Sequence, residues 1–574
     1  MSVQPAPWPQ PSPQIAAAVG RMYRGRRAPL AVVIRDELGE VYADEAFAAA
    51  FGVRGRPGWS PGRLMLVTVL QYAEHLTDRQ AAEAVRTRLD WKYGLGLDLD
   101  DEGFDASILT EFRSRLVDHR LVEQALDLLL AALVARGLLK PGGKQRTDST
   151  HVLAAVRDLN RVELAGESVR AALEALAVAA PDWLADTLDV PGWTDRYGVR
   201  IDSWRLPSSK SRRDALAAAY GQDGFTLLRA VYAAHAPHWL AEIPAVDVLR
   251  QVLLQNYVIV VDRAGREVIT RREAHVHGLP PGRCRITSPY DTDARRGGKR
   301  DLFWTGYKVH VSETCTDGAE QSDQVDGPDQ QPLPNIITNV ATTDAAVPDA
   351  AMTTPIHESL ARRGLLPDEH LVDSGYPSAD LLIESADRFG IALLTPMLAD
   401  VSAQARAGAG YDAARFDIDF DTGTVTCPQG QTSSTWSPAR QRGVETIVVK
   451  FDTATCRACP VRAQCTTATR GGRQLTIRPR RVHQALTAAR ARQTTKTFAR
   501  TYRLRAGVEG TIRQGVAVTD TRHARYRGLP KTHLQHVISA AALNLIRLDA
   551  WFNDIPIDRT RTSHLARLEL TLAA

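Results

Sequence analysis

The sequence predicts a mixed α/β protein: a central sheet flanked by helices, with a helical region ahead of it and insertions within it. Three patterns carry that expectation. Residues 300–311 (RDLFWTGYKVHV) switch to period two, with Tyr307, Val309 and Val311 on one face and Lys308 and His310 on the other. Residues 370–376 (HLVDSGY) read as a short apolar strand ending at Asp373, stopped by Gly375 and Pro377, with a helix opening at Ser378. Residues 30–139 carry helical patterning instead.

Taken in order, residues 1–29 are Pro-rich and polar and are expected to be disordered; they lack the cationic and apolar regions of a signal peptide. Within the helical domain expected at 30–140, residues 63–75 (RLMLVTVLQYAEH) place Leu64, Val67, Leu70 and Gln71 along one side. Thr77 with Gln80 three positions on reads as an N-cap opening a second helix. Two short helices joined by a tight turn suit a DNA-binding helix-turn-helix, and equally a bundle with no groove contact.

Asp148 follows, between Thr147 and Ser149, in the first part of the sheet domain expected at 141–155 and 286–398. Residues 156–285 form an Ala- and Leu-rich helical insertion, with helices expected at 162–179, 214–220 and 246–255. After the period-two strand, 314–334 is an acidic loop, 333–342 the returning strand, 349–363 a crossover helix and 391–395 the strand after Asp373. Residues 399–495 hold a Cys-bearing insertion. Residues 496–552 end in a helix whose apolar stripe (Leu534, Val537, Ile538, Ala541, Leu545, Leu548) is expected to pack under the sheet, and 553–574 form a tail.

Composition narrows the function classes. Hydrophobic content of 44% and charged content of 24% are ordinary for a globular protein. No apolar run is long enough to cross a bilayer, and the six cysteines do not resemble a secreted disulfide scaffold, so a cytoplasmic protein with no membrane partner is expected. A phosphate-binding loop is absent, so no nucleotide cofactor is expected, and the Asp373 segment lacks a Gly-x-Ser-x-Gly elbow.

A lone Asp at a strand tip is more often a turn residue than a ligand. Glu509 changes the balance, because Tyr502, Arg505, Glu509 and Arg513 are spaced to line one stripe of a helix. The bland reading is an exposed Arg505–Glu509 pair contributing about 0.3–0.5 kcal/mol. Charge argues further: residues 470–547 hold 17 Lys and Arg against two acids in a chain of net charge +5, so the remainder is net acidic. Such a face suits a polyanion. Arg522, Arg525 and Arg527 around Tyr526 suit phosphate gripping or base stacking. Cys427, Cys456, Cys459 and Cys465, with His483 as an alternative, read either as a structural zinc site or as reduced free thiols.

These segments resemble the Asp, Asp and Glu of DDE transposases with a ribonuclease-H-like core. Within them the chain is most similar to the bacterial insertion-sequence family numbered 1182, in the group named after insertion sequence number 4. That group carries Tyr-x2-Arg-x3-Glu-x6-Lys; Tyr502, Arg505 and Glu509 match, while the Lys position is Val516. Further matches are Ser288-Pro289-Tyr290-Asp291, Gly306-Tyr307-Lys308-Val309-His310 and Arg525-Tyr526-Arg527-Gly528-Leu529, and the similarity runs from about Arg56 to Trp551. The resemblance implies catalytic, metal-holding Asp148, Asp373 and Glu509 with two Mg2+ or Mn2+ ions. It also implies double-stranded DNA as partner, met by Tyr502, Arg505, Arg513, Arg522, Arg525, Arg527, Lys531 and Lys308, and a homodimer on DNA. The implied activity is hydrolysis at the ends of an element followed by strand transfer. A nuclease that never joins and an inactive DNA-binding descendant are the alternatives.

Overall fold

A computed structural model of the chain describes residues 2–315 and 333–555. Most of the acidic loop expected at 314–334 and of the tail expected at 553–574 lies outside the described residues. Strand β1 (Lys144–Leu153) organises the sheet and is buried over most of its length, including Gln145, Arg146, Thr147 and Asp148. The other strands are β2 (Arg295–Lys299), β3 (Leu302–Thr314), β4 (Ile337–Asp344), β5 (Glu369–Val372) and β6 (Ala392–Leu394). β3 runs antiparallel to β1, while β5 is parallel to β1 and β6 to β5. The outer edge of β3 is shared: its first residues pair with β2 and the rest with β4. The changeover falls at Gly306, whose φ of 151° and approach to the Val152 carbonyl leave no room for a Cβ. Four strands paired antiparallel, β1 to β4, followed by two parallel ones reached through helices form a ribonuclease-H-like mixed sheet.

Helices cover the sheet, which buries β1 even at its polar residues Gln145, Arg146, Thr147 and Asp148. The Leu529–Phe552 helix lies against β4 on one side and against helices Pro61–Ala73 and Gln124–Ala135 on the other. It is therefore buried nearly all round (Gln535, His536, Ser539 and Asn544 included) rather than along the single stripe expected. One continuous core joins the N-terminal helices to the sheet.

Pro61–Ala73 is buried along its whole length, capped by the Ser60 hydroxyl. Asp78–Thr87 follows with a capping box in which Thr77 and Gln80 satisfy each other's backbone N–H groups. Only the outer side of this second helix, with Arg79, Glu83 and Arg86, faces solvent. Residues 1–29, expected to be disordered, instead carry the helix Pro13–Met22. Ile15 and Val19, one turn apart, pack on Val32, and Trp8 is buried with Arg35 over its ring, so sparse apolar anchors suffice to order a Pro-rich segment.

The insertion after β1 has its own core under helices Arg161–Ala179, Lys210–Val231 and Pro244–Asn256. It is not purely helical: Tyr257–Val261 pairs with Glu267–Arg271 as a hairpin, because the β-branched run after Asn256 cannot extend the helix favourably. The Cys-bearing insertion folds around Thr435–Gln441, Val444–Lys450 and Gln474–Ile477 paired as an antiparallel sheet, with Phe416, Val425, Val449 and Phe451 beneath. Among the described residues no helix is long and apolar enough to cross a membrane.

Candidate active site

Strand register brings the first two carboxylates together. Thr147 of β1 is level with Val372 of β5 in a parallel pairing, so Asp148 and Asp373 are the next residues along neighbouring strands. β5 ends at Val372 and Asp373 begins the turn, accepting the Gly375 N–H at 2.8 Å. Asp148 is nearly buried and accepts the Ser149 N–H at 2.7 Å. Burial raises the Asp148 carboxyl above its ordinary pKa and the Asp373 charge adds to the rise, while the Ser149 N–H and Arg505 oppose it. A site that disfavours its own negative charge in this way is receptive to a cation.

The third carboxylate arrives on the helical segment near the end of the chain. Lys496–Arg503 is α-helical, Leu504–Ala506 tightens to a 3-10 turn, and Gly507–Thr519 resumes the α-helix. The expected uninterrupted stripe is thus broken. The break lies where Arg146 donates to the Leu504 carbonyl, and a Cβ on Gly507 would meet the same guanidinium at 2.0 Å. Across the break, Arg505 donates to Asp148 Oδ2 at 3.0 Å and to Glu509 Oε1 at 2.8 Å. Burial alone would lower the Arg505 pKa; Asp148, Tyr502 and Glu509 reverse that and raise it. The Glu509 side chain is 62% exposed, at the mouth of the site. The Tyr502 hydroxyl donates to the Val372 carbonyl at 3.2 Å, and its ring stacks on Phe498.

A buried polar cluster fixes this helix to the sheet. Glu313 of β3 is fully buried and binds Arg146 at 2.7 Å, Arg547 at 2.9 Å and the Thr511 hydroxyl at 2.6 Å. It thereby ties β1, the Glu509 helix and the Leu529–Phe552 helix to one carboxylate.

The remaining residues singled out in the sequence are dispersed. Arg513 is exposed one turn beyond Glu509, and Val516, at the signature's Lys position, is half-buried and offers no charge. Arg522 donates to Thr150 of β1 at 3.0 Å, beside a backbone bridge between Leu153 and His523. Arg525 lies over the Tyr72 ring and touches His75, and Arg527 lies over Tyr290. Lys531 is half-buried at the start of the last helix. Lys308 binds Asp349 at 3.0 Å and the Val347 carbonyl at 2.7 Å.

Asp349 is a neighbour that pattern reading missed. It accepts from Ser149 at 3.1 Å, and a Cβ at Gly375 would sit 3.0 Å from Asp373 Oδ1 and 3.4 Å from Asp349 Oδ2. Its only signal in the sequence was its place at the start of a crossover helix. Below it, buried His310 shares a 2.6 Å hydrogen bond with the Tyr376 hydroxyl.

The four cysteines of the insertion are free and line one largely apolar pocket with Phe451 and Val461. Backbone N–H groups of Gln431 and Arg473 point at the sulfurs of Cys427 and Cys456 at 3.4 Å. Burial pushes the Cys465 thiol up, and the three other cysteines add to that against the pull of Arg473. His483 lies against the Phe420 ring at a tilt and does not line this pocket. Among the described residues no three His, Cys, Asp or Glu side chains already stand in a metal-holding group. At the carboxylates the physical reason is plain: Arg505 stands between Asp148 and Glu509 as the local cation.

That donor set suits hard divalent cations, because the oxygens are carboxylate oxygens and Asp148 is buried beside the like charge of Asp373. Residues 426–549 match the family described as transposase DDE domain, and residues 26–115 match that described as transposase domain (DUF772). Glu509 and the cysteines fall inside the first range and the N-terminal helices inside the second, while Asp148 and Asp373 fall in neither. Together the two matches support a DDE transposase, an enzyme class that cuts nucleic acid and uses divalent metal ions. No curated protein and no solved structure matches the chain.

Proposed function

We propose that this protein is a DNA transposase that hydrolyses phosphodiesters at the ends of its insertion sequence and transfers the freed strand into target DNA. Asp148, Asp373 and Glu509 are its catalytic carboxylates. The observation that carries the reading is that one guanidinium, Arg505, touches both Asp148 and Glu509, while the strand register sets Asp373 beside Asp148.

Asp148, Asp373 and Glu509 would hold two Mg2+ or Mn2+ ions, which would supply an activated nucleophile and stabilisation of the leaving oxygen. Asp148 and Asp373 present the inner oxygens, and Glu509 closes the site from its mouth. Arg505 favours the ionised form of Asp148 before DNA arrives, and its planar fork is suited to the scissile phosphate once the carboxylates are otherwise neutralised. Tyr502, anchored on the Val372 carbonyl, holds its ring at the entrance and positions the DNA end. Double-stranded DNA binds along the basic surface of residues 470–547, with two chains synapsing two ends.

The division into a DNA-binding helical domain (30–140), a core (141–155, 286–398 and 496–552) and two insertions (156–285 and 399–495) belongs to the same reading. So does a structural Zn2+ held by Cys427, Cys456, Cys459 and Cys465, for which the convergence of three chain segments and the N–H groups aimed at two sulfurs are the support.

The test is cleavage, with Mg2+, of a plasmid carrying the DNA that flanks the coding sequence. Wild-type protein should nick and join at matched inverted repeats, and Asp373→Asn should do neither. Equal cutting by Asp373→Asn would remove the assignment, and cutting without joining would reduce the activity to a nuclease.

A further inference from the structure

Strands β2 and β3 run on beyond their pairing with β1 and β4 as a two-stranded ribbon, held at its base by buried Trp304 and by the Ala154 N–H donating to the Thr305 carbonyl. The pairing of β1 with β3 stops at Gly306, and that of β4 starts at Tyr307, so residues 302–305 pair with β2 alone. The turn of this ribbon is Lys299-Arg300-Asp301, with Arg300 in the left-handed region at φ 55°. Arg296, Lys299 and Arg300 are exposed, and among the described residues none of them forms an ion pair. Beside them Phe303 is 64% exposed, with Arg296 over its ring. Three exposed cations thus gather around an exposed aromatic against the single acid Asp301 of the turn, an arrangement that favours an anionic partner.

Position says which one. Val311 lies opposite Asp148 across β1 and β3, and Leu302, at the tip, is further along the same strand, beyond the end of β1 and in the direction in which β5 also runs. At about 3.3 Å per residue the tip stands up to roughly 30 Å from the carboxylates. At about 3.4 Å per base pair that is roughly nine base pairs of duplex. The surface between carries the cations Arg522 and His523 together with two carboxylates, Asp158, which accepts from the Thr305 hydroxyl, and Asp520, which pairs with His523. Arg522 and His523 border the end of β1, and these two with Lys299 all depress the pKa of His151, below the ordinary value that burial has already lowered.

We infer that the β2–β3 ribbon is a second DNA-contacting element, gripping duplex in a groove about nine base pairs from the scissile phosphate. A two-stranded ribbon fits the major groove, cations on its edge meet the flanking phosphates, and Phe303 supplies apolar contact at the tip. This inference rests on the transposase reading, and it names the part of the substrate that reading leaves unassigned.

The test is equilibrium binding of the full-length protein to labelled mixed-sequence duplexes of about 10 to about 30 base pairs across a salt series. Arg296→Ala/Lys299→Ala/Arg300→Ala should flatten the dependence of log K on log salt by about 2.7, that is about 0.9 for each lost phosphate contact. The loss should appear only with duplexes long enough to reach from the carboxylates to the tip. Lys299→Glu alone, at the exposed turn, should act in the same direction, which guards against a folding defect in the triple variant. Slopes and length dependence equal to wild type in both variants would overturn the inference and leave the transposase reading standing. Absence of any salt-sensitive duplex binding by the wild-type protein would overturn both.

Discussion

Arg505 and Asp148, 357 residues apart in the chain, meet at 3.0 Å, and the same guanidinium reaches Glu509 at 2.8 Å. Burial and the neighbouring Asp373 raise the Asp148 carboxyl, and Arg505 is the side chain that counters them. Arg505→Ala should therefore move the acid limb of the cleavage profile to higher pH, because the ionised Asp148 that cleavage needs forms only at higher pH. Removal of a charged donor at such a site lowers the rate by about 100-fold or more. Arg505→Lys keeps the charge and loses the fork, so it should restore the acid limb but not the full rate. The pH–rate profile of plasmid cutting reads both effects, and an unmoved acid limb in Arg505→Ala would refute the link.

Glu313 predicts a separation of stability from chemistry. It is fully buried and satisfies Arg146, Arg547 and Thr511, so its loss strands two guanidiniums in the interior. Glu313→Ala should destabilise the protein by about 3–5 kcal/mol, read in denaturant unfolding. Arg146 also holds the Leu504 carbonyl and so the turn that aims Glu509. Glu313→Gln, which keeps the shape and part of the hydrogen bonding, should fold at low temperature yet cut slowly. A fully active Glu313→Gln would show that the cluster serves the fold alone.

Much of the sheet was legible because its signals are local. The period-two run gave β3, and the HLVDSGY segment gave the strand tip at Asp373. Thr77 and Gln80 formed the capping box their spacing announces. What was illegible is non-local. The helical stripe through Tyr502 and Glu509 breaks because Arg146, far upstream, draws the Leu504 carbonyl out of register. Arg525 reads as a free phosphate contact in the sequence, yet it spends its charge on Tyr72 and His75 of the N-terminal bundle. Asp349 joined the site only through Ser149, Lys308 and the narrow space at Gly375, none adjacent to it in sequence. The order of residues 13–22 depended on Val32, which lies outside that segment.

Buried histidines set an acid limit on the fold. Burial lowers His310 and His357 from 6.5 to about 4, and burial with the nearby His357 holds His370 well below its ordinary value. Below pH 6.5 the unfolded chain takes up a proton at each of these groups while the folded chain resists. Stability from His310 and His357 is thus fully present above 6.5, falls as pH drops, and levels off below about 4. Each contributes at most roughly 3 kcal/mol across that window. In melting curves against pH, His357→Leu should flatten the acid slope by up to about one proton relative to wild type. An unchanged slope would mean that His357 is protonated in the folded protein.

The cysteine pocket makes a prediction independent of DNA. Cys427, Cys456, Cys459 and Cys465 come from three segments of a small insertion whose core is six buried residues, few for a self-standing fold. Small cores of this kind are commonly held by a metal, and thiolate ligation of Zn2+ contributes folding free energy directly. Pure protein should carry about one zinc per chain by elemental analysis, and Cys459→Ser should reduce that content sharply. Chelation should unfold the insertion first, seen as proteolytic cutting within residues 411–477, while the β1–β6 sheet resists. The Glu509 helix follows this insertion in the chain, and Arg478 and Arg481 pair with Asp380 and Asp387 of the helix after Asp373. Loss of zinc should therefore weaken cutting in parallel, by loosening the segment that delivers Glu509. Metal-free protein with the wild-type melting curve and wild-type resistance to proteolysis would identify the four side chains as reduced thiols in an apolar core.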